Sequence, residues 1–433
     1  MISSNAVKTP VDLETGRRYA TLNVVAGFLA FFFMMGVPVL MMPTLYPVIM
    51  EDMNWTRAEV TSFSTVKFAA SAVGAFFIGF LVDRFGIKTM GTITAVITGL
   101  GMGAFWFVDS LPIYQLVGFF LGLGAVATTV TLKVLVSRWY YARQGFMIGI
   151  TMLGAGVAGT LTPLLAEWMQ TQIGWRATIV AMSLGIWFLF IPTFLFFARS
   201  TPEEYGLSAE ELDPGKVPTK PDTSNMPGIG AVLRSRTFWV FALGNFLIGI
   251  AEQGMQQNQK LFLQNELMLP ALLAAASYSW VTIFGNVGKV AFGWLYDRFS
   301  VRGVAFCWLT IGIGILTILP VSGMLTFMIF AIVRGTSHGG NLVDIPVLMR
   351  HVFGTKTLAK AFSFQYAIYM VGASLGTWLV ASMADRMGTY VPAFILVACL
   401  CFVAAALIVW IKPVYWVPPS SQEEPPKTPT PAT

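Results

Sequence analysis

Residues 79–88 read "GFLVDRFGIK" and residues 293–302 read "GWLYDRFSVR". Gly, Leu, Asp, Arg and Phe match in place, so the second stretch is a copy of the first, half a chain later. Each copy closes a long apolar run, at 59–82 and at 271–295. An apolar run of about 20 residues is long enough to cross a bilayer as a helix. The chain thus reads as two related halves, each built from spans of this kind.

Composition supports that reading. The chain has 433 residues, 56% apolar and 11% charged, with a mean hydropathy of +0.70. A soluble domain carries about 25% charged residues. Apolar runs occur at 21–45, 59–82, 89–108, 113–137, 145–166, 176–198, 237–260, 271–295, 303–321, 325–349, 359–383 and 391–411. Twelve spans of roughly 20 residues use about 240 positions, close to the whole apolar content. In lipid, each span satisfies its own backbone polar groups only as a helix. The expected fold is an all-α integral membrane protein of twelve transmembrane helices in two pseudo-symmetric six-helix bundles. Residues 21–198 and 237–412 form the bundles. A cytoplasmic segment (1–20), a linker (199–236) and a Pro-rich tail (413–433) complete the chain, the tail being expected to lie disordered in water.

The net charge is +6, but the cations form no patch for nucleic acid. Arg57, Arg176, Lys260 and Arg386 fall in loops on one side, and Lys67, Lys133, Lys289 and Arg334 fall inside spans. The other Lys and Arg residues fall on the opposite side, which makes both termini cytoplasmic. A plasma membrane location follows, the inner membrane in a bacterium. The first 20 residues hold no signal-peptide core, so the first span acts as its own insertion signal. Cys307, Cys399 and Cys401 lie in apolar runs and suggest no disulfide framework. With two histidines, no metal site is expected. No phosphate-binding glycine loop occurs: "GNVGKV" lacks the first glycine and the hydroxyl residue. No cofactor is expected, and no nucleotide-driven machinery is indicated. A membrane enzyme or receptor would need a nucleophile set or a ligand domain at one interface, and the loops are too short to supply one.

Polar residues inside the spans are the candidates for function. Lys289 lies about 12 Å from the inner end of its span at 1.5 Å per residue, beyond the reach of a snorkelling side chain. It is a candidate anchor for a carboxylate, with Asn286 one turn before it. Arg334, His338 and Asn341 form a polar stripe on one helical face. Arg334 suits a carboxylate held at two points, or else a structural ion pair. His338 is a candidate for titration, or a hydrogen-bonded core histidine. Glu252 opens "EQGMQQNQ" (252–259) and is a candidate proton carrier. Gln253, Gln256, Gln257 and Asn258 suit a wet cavity, or else the solvated outer end of the span. Gln365, Tyr366 and Tyr369 suit an organic-acid pocket. Lys67 and Lys133 are weaker candidates for binding. Asp344 is expected to meet a cation, and Gly154, Gly156 and Gly159 to admit close helix packing.

The repeated stretch resembles the loop motif of the major facilitator superfamily, G-x-x-x-D-R-x-G-x-[RK]. Gly79, Asp83, Arg84, Gly86 and Lys88 fit it. Gly293, Asp297 and Arg298 fit the second copy, which has Ser300 in place of the glycine. The resemblance covers about residues 20–412 and implies secondary transport by alternating access, with these loops as cytoplasmic gates. The C-terminal half resembles the monocarboxylate and oxalate/formate transporter group. There a cation precedes a glycine by four positions, as Lys289 precedes Gly293, although that group usually has arginine. Gly285 stands where the animal monocarboxylate branch has an aspartate. Gly339, Gly340, Pro346, Phe353 and Gly354 match the group's spacing in "HGGNLVDIPVLMRHVFG" (338–354). Tyr369 stands where the oxalate transporter has a second cation, which speaks against a small dicarboxylate held between two cations. The expectation is a secondary active transporter of a small organic anion, a monocarboxylate, coupled to protons and monomeric in the lipid. A sugar, nucleoside or drug carrier and an anion exchanger are the alternatives.

Overall fold

The structure is a computed structural model that describes residues 11–141, 143–214, 226–354, 356–412 and 414. Among these the chain is helical throughout. Helix α1 (Leu13–Met53) starts at the Asp12 cap, whose side chain accepts from the Thr15 N–H at 3.1 Å. It carries a π-turn at Phe31–Gly36 and ends on left-handed Asn54. Helix α2 (Arg57–Phe85) opens with a capping box of Thr56 and Glu59. Then follow α3 (Ile87–Gly103) and α4 (Leu111–Trp139). The continuous helix Gln144–Gly185 breaks at Gly174, where φ is 78°. That residue separates α5 (144–173) from α6 (175–197). The second half comprises α7 (Arg236–Asn265), α8 (Ala271–Phe299), α9 (Val301–Leu316), α10 (Met324–Phe353), α11 (Leu358–Met387) and α12 (Val391–Ile408).

Nine helices among the described residues are long and apolar enough to cross a membrane. The number falls short of the twelve expected spans for physical reasons. Residues on both sides of Gly174 count as one helix. Helix α9 has 16 residues and stops at Leu316, before the expected end at 321. Helix α10 is diluted by its polar stripe from Arg334 to Asn341.

Within the halves α1 packs on α5, α2 on α4, α7 on α11, α8 on α10 and α9 on α12. Between the halves α2 meets α11, α5 meets α8, and α1 meets α7. Small residues set these approaches. A Cβ on Gly335 would lie 2.7 Å from the Val281 carbonyl oxygen, and Gly339 presses on the backbone of Gly285. Gly154 packs on Phe28 of α1, while Gly156 and Gly159 receive Asn286 and Thr282 of α8. The sequence repeat has a counterpart in the backbone. Gly86 and Ser300 both take positive φ, 81° and 49°, at the turn within each copy. Arg84 lies over the Phe85 ring, and Arg298 over Trp294 and Phe299. Gly79 and the side chain of Asp83 lie outside what is described.

The linker is not uniformly a spacer. Its first part docks on the N-terminal half. The Arg199 carbonyl accepts from Asn23 and from the Trp139 indole, at 3.2 and 2.9 Å. Tyr205 packs on Tyr19, and buried Asp213 pairs with Arg143 at 2.7 Å. Residues 215–225 of the linker, and the tail apart from Val414, lie outside the described residues.

The halves are joined at the end of the bundle opposite the chain termini. Lys260, expected in a loop, is instead inside α7 and 2% exposed. It pairs with Glu167 of α5 and donates to the Thr44 carbonyl of α1 at 2.6 Å. The loop expectation fails because α7 continues to Asn265, five residues further. Nearer the surface, Asp385 accepts from the backbone N–H of Arg57 and Ala58, at 3.1 and 2.8 Å. Removing one member of a buried pair leaves an uncompensated charge and costs about 3–5 kcal/mol. Lys260→Met and Glu167→Leu are each expected to lose about that much, and the double variant to recover most of it. Equilibrium unfolding in detergent, run as a double-mutant cycle, measures the coupling.

Candidate functional site

Helix α7 brings the first polar cluster. Residues 252, 256 and 260 recur every four positions and so share one face. Glu252 is fully buried, and its Oε1 accepts from Arg334 Nη2 of α10 at 2.9 Å. The same oxygen contacts His338 Nδ1, one turn along α10. Arg334 is 1% exposed and also directs Nε toward the Met255 sulfur at 3.4 Å. Glu252 Oε2 and Arg334 Nη1 make no hydrogen bond within the protein. Glu252 and the Arg334–His338 pair of the polar stripe, which the sequence singled out separately, thus meet in one group. The outer-end, solvated alternative for Glu252 does not hold.

A second array crosses between the halves. The Tyr46 hydroxyl of α1 lies 2.6 Å from Ser64 Oγ of α2. Ser64 donates to Gln257 Oε1 at 2.8 Å. Gln257 Nε2 donates to Gln253 Oε1 at 3.3 Å, and Gln253 Nε2 to the Tyr369 hydroxyl at 3.4 Å. Asn341 Nδ2 reaches the same hydroxyl at 3.3 Å. Tyr369 therefore joins α7 and α10, and the array ends on the helix that carries Arg334 and His338. Gln257 is buried between the halves rather than at a mouth.

Helix α8 contributes a third group. Lys289 Nζ donates to Asn286 Oδ1 at 3.1 Å. Among the described residues no carboxylate lies within ion-pair distance of Lys289. Asn286 sits against Gly156 of α5, 3.2 Å from where a Cβ would stand. Gly285, one turn back from Lys289, lies beside α10, and a Cβ there would stand 3.8 Å from the His338 ring.

Other expected residues lie elsewhere. Gln365 donates its amide to the Phe238 carbonyl at 3.2 Å, between α7 and α11, while its Oε1 makes no hydrogen bond within the protein. Tyr366 is half-buried and stacks on Phe362 at 5.9 Å. Gln256 is 7% exposed, and its carbonyl accepts from Tyr278 at 2.9 Å. Asp344 meets the Trp308 indole at 2.8 Å rather than a cation. Lys133 is half-buried in α4. The sequence reading missed Tyr46, Ser64 and Glu167. Tyr46 and Ser64 look like ordinary span residues, whereas Glu167 carried a signal, being an acid directly after an apolar run.

Comparison with known proteins places this geometry. The family model described as "Major Facilitator Superfamily" matches residues 24–303 and 273–433. The "Nitrite extrusion protein" of Bacillus subtilis (strain 168) is 22% identical over 92% of this chain and 93% of its own length. The "Oxalate:formate antiporter" of Oxalobacter formigenes is 23% identical, covering 77% and 78%. "Monocarboxylate transporter 12" of Xenopus laevis is 24% identical, covering 69% and 68%. A crystal structure of a bacterial homologue of the human lysosomal transporter Spinster, inward-facing and occupied, superposes with a TM-score of 0.69. That likeness covers 90% of this chain and 95% of the other at 15% identity, and so speaks for the fold alone. The relatives' names agree with the resemblance of the C-terminal half to the monocarboxylate and oxalate/formate group, and each names a transported anion. The chain belongs to the Major Facilitator Superfamily and is a multi-pass membrane transporter, not an enzyme.

Proposed function

We propose that the protein moves a small organic anion, a monocarboxylate, by alternating access with proton coupling. Twelve crossings put both termini on one side, and the Lys/Arg bias makes that side the cytoplasm of a plasma membrane or bacterial inner membrane; the transporter works as a monomer. One observation carries the reading. Lys289 is a half-buried cation in a membrane helix with an amide, not an acid, as its partner. A charge in mid-span is costly on insertion scales, by about 2.5–3.5 kcal/mol, and an anionic cargo offsets that cost. Lys289 is the anchor, with Asn286 orienting it. Arg334 is the second contact, through the Nη1 that no protein group takes. Tyr369 and its amide partners line the polar wall.

Glu252 is the proton site, with His338 as its exchange partner. Their contact lets a proton move between the imidazole and the carboxylate, and Arg334 holds the carboxylate in place. The Arg84 and Arg298 loops act as gates at the cytoplasmic end. The Lys260–Glu167 pair holds the extracellular end shut and separates when that end opens.

Uptake of radiolabelled carboxylates into proteoliposomes tests the anchor. Lys289→Gln is expected to lower uptake by about 30-fold or more, the scale for truncating one side of a buried charge contact. Lys289→Arg should keep a measurable part of it. Wild-type uptake by folded Lys289→Gln protein rules the anchor out. A preference for labelled sugars or nucleosides favours the neutral-cargo alternatives.

Coupling is tested separately. Glu252→Gln should lose accumulation driven by a proton gradient, while counterflow of preloaded substrate continues. Gradient-driven accumulation that persists in this variant places the proton site elsewhere.

A further inference from the structure

Lys67 lies in the N-terminal half, ten residues into α2, and is 2% exposed. Its Nζ makes no hydrogen bond within the protein. Its neighbours are aromatic: the Phe68 ring at 4.6 Å and the Phe63 ring at 5.8 Å. Ring faces attract a cation, but they do not replace lost hydrogen bonds.

The direction of Lys67 follows from its helix. Ser64 Oγ reaches Gln257 of α7, and the Thr65 carbonyl accepts from Ser374 of α11 at 2.8 Å. This side of α2 therefore faces the C-terminal half. The opposite side carries Val73, Phe77 and Phe80, all more than half exposed, whereas Phe76 packs on Phe364 of α11. At about 100° per residue, position 67 lies roughly 60° from Ser64, and position 73 roughly 180° from it. Lys67 thus lies between the face of α2 that meets α7 and the face that meets α4, where its carbonyl packs on Gly122, one turn below the Tyr46–Ser64–Gln257 array. An unpartnered cation buried at that edge has its complement in an anion that is not part of the protein.

We propose that Lys67 is the N-terminal half's contact for the anion that Lys289 holds from the C-terminal half. The inference rests on the organic-anion reading of Lys289 and adds to Lys289 and Arg334 a cation from the opposing half. The cargo is then a carboxylate gripped from both halves, and its binding draws the halves together. Tyr369 leaves the C-terminal half without a second cation in α11, and Lys67 supplies one from α2.

Thermal unfolding of the purified full chain in detergent, titrated with sodium lactate, benzoate or succinate against sodium chloride, tests this. The three probes distinguish one carboxylate from two. An anion that stabilises the wild type should need about tenfold more to half-saturate Lys67→Met, and about as much as wild type for Lys67→Arg. Without anion, Lys67→Met should unfold no earlier than wild type, because an uncompensated buried charge is removed. If Lys289→Gln loses the shift while Lys67→Met half-saturates within twofold of wild type, the Lys67 contact is overturned and the Lys289 anchor stands. If Lys67→Met and Lys67→Gln both fail to fold, or unfold early without anion, Lys67 is structural and the proposal is again overturned. If no carboxylate shifts the wild type, the organic-anion reading fails and this inference fails with it.

Discussion

An ionised side chain between these helices has lost its water, and the way each one is compensated sets the arrangement of the bundle. Lys260 and Glu167 compensate each other across the two halves. Glu252 is shared between Arg334 and His338 within the C-terminal half. Lys289 has an amide oxygen, which offers a dipole in place of a charge. Lys67 has ring faces only. The complete pairs hold protein to protein. The incomplete ones mark where a mobile anion has most to gain, since Coulomb attraction is strongest where water is excluded.

Much of this architecture was legible in the sequence. The apolar runs place the helices because hydropathy reports directly on the need to satisfy backbone groups in lipid. The "DRF" repeat located the two turns of matching backbone sign. The polar stripe of α10 was legible from spacing alone, as Arg334, His338 and Asn341 recur at helical intervals. Which residues would meet across helices was not legible. Glu252 and Arg334 are far apart in the chain, and only the folded bundle lets their side chains meet between α7 and α10. Lys260 was misplaced for a different reason. A lysine near the end of an apolar run resembles a loop residue until its acid, Glu167, is known to lie on the facing helix. The Phe238 partner of Gln365 was not legible either, because helical phase gives direction but not which neighbouring backbone takes the amide.

The acid that meets His338 comes from α7. Gly339 lies against Gly285, so α8 and α10 touch backbone to backbone and leave no room for a side chain at position 339. At position 285 a Cβ would make only ordinary contacts, 3.4 Å from the Gly335 carbonyl oxygen and 3.8 Å from the His338 ring. The glycine there is thus a choice of sequence and not of space, and it leaves Lys289 without an acid one turn before it. Glu252 of α7 supplies the carboxylate that the histidine meets.

The Asp385 cap on α2 has its own consequence. Its carboxylate serves N–H groups at a helix start that would otherwise face water, where they are readily hydrated. The Thr56–Glu59 box stays with α2 when Asp385 leaves, so the helix end is not exposed bare. Water can thus replace the rim contacts one at a time. Deeper in, Lys260 and Glu167 have no such substitute until a path for solvent exists. Separation at this end is therefore ordered from the surface inward, like a seam whose outer stitches slip easily and whose last one carries the tension.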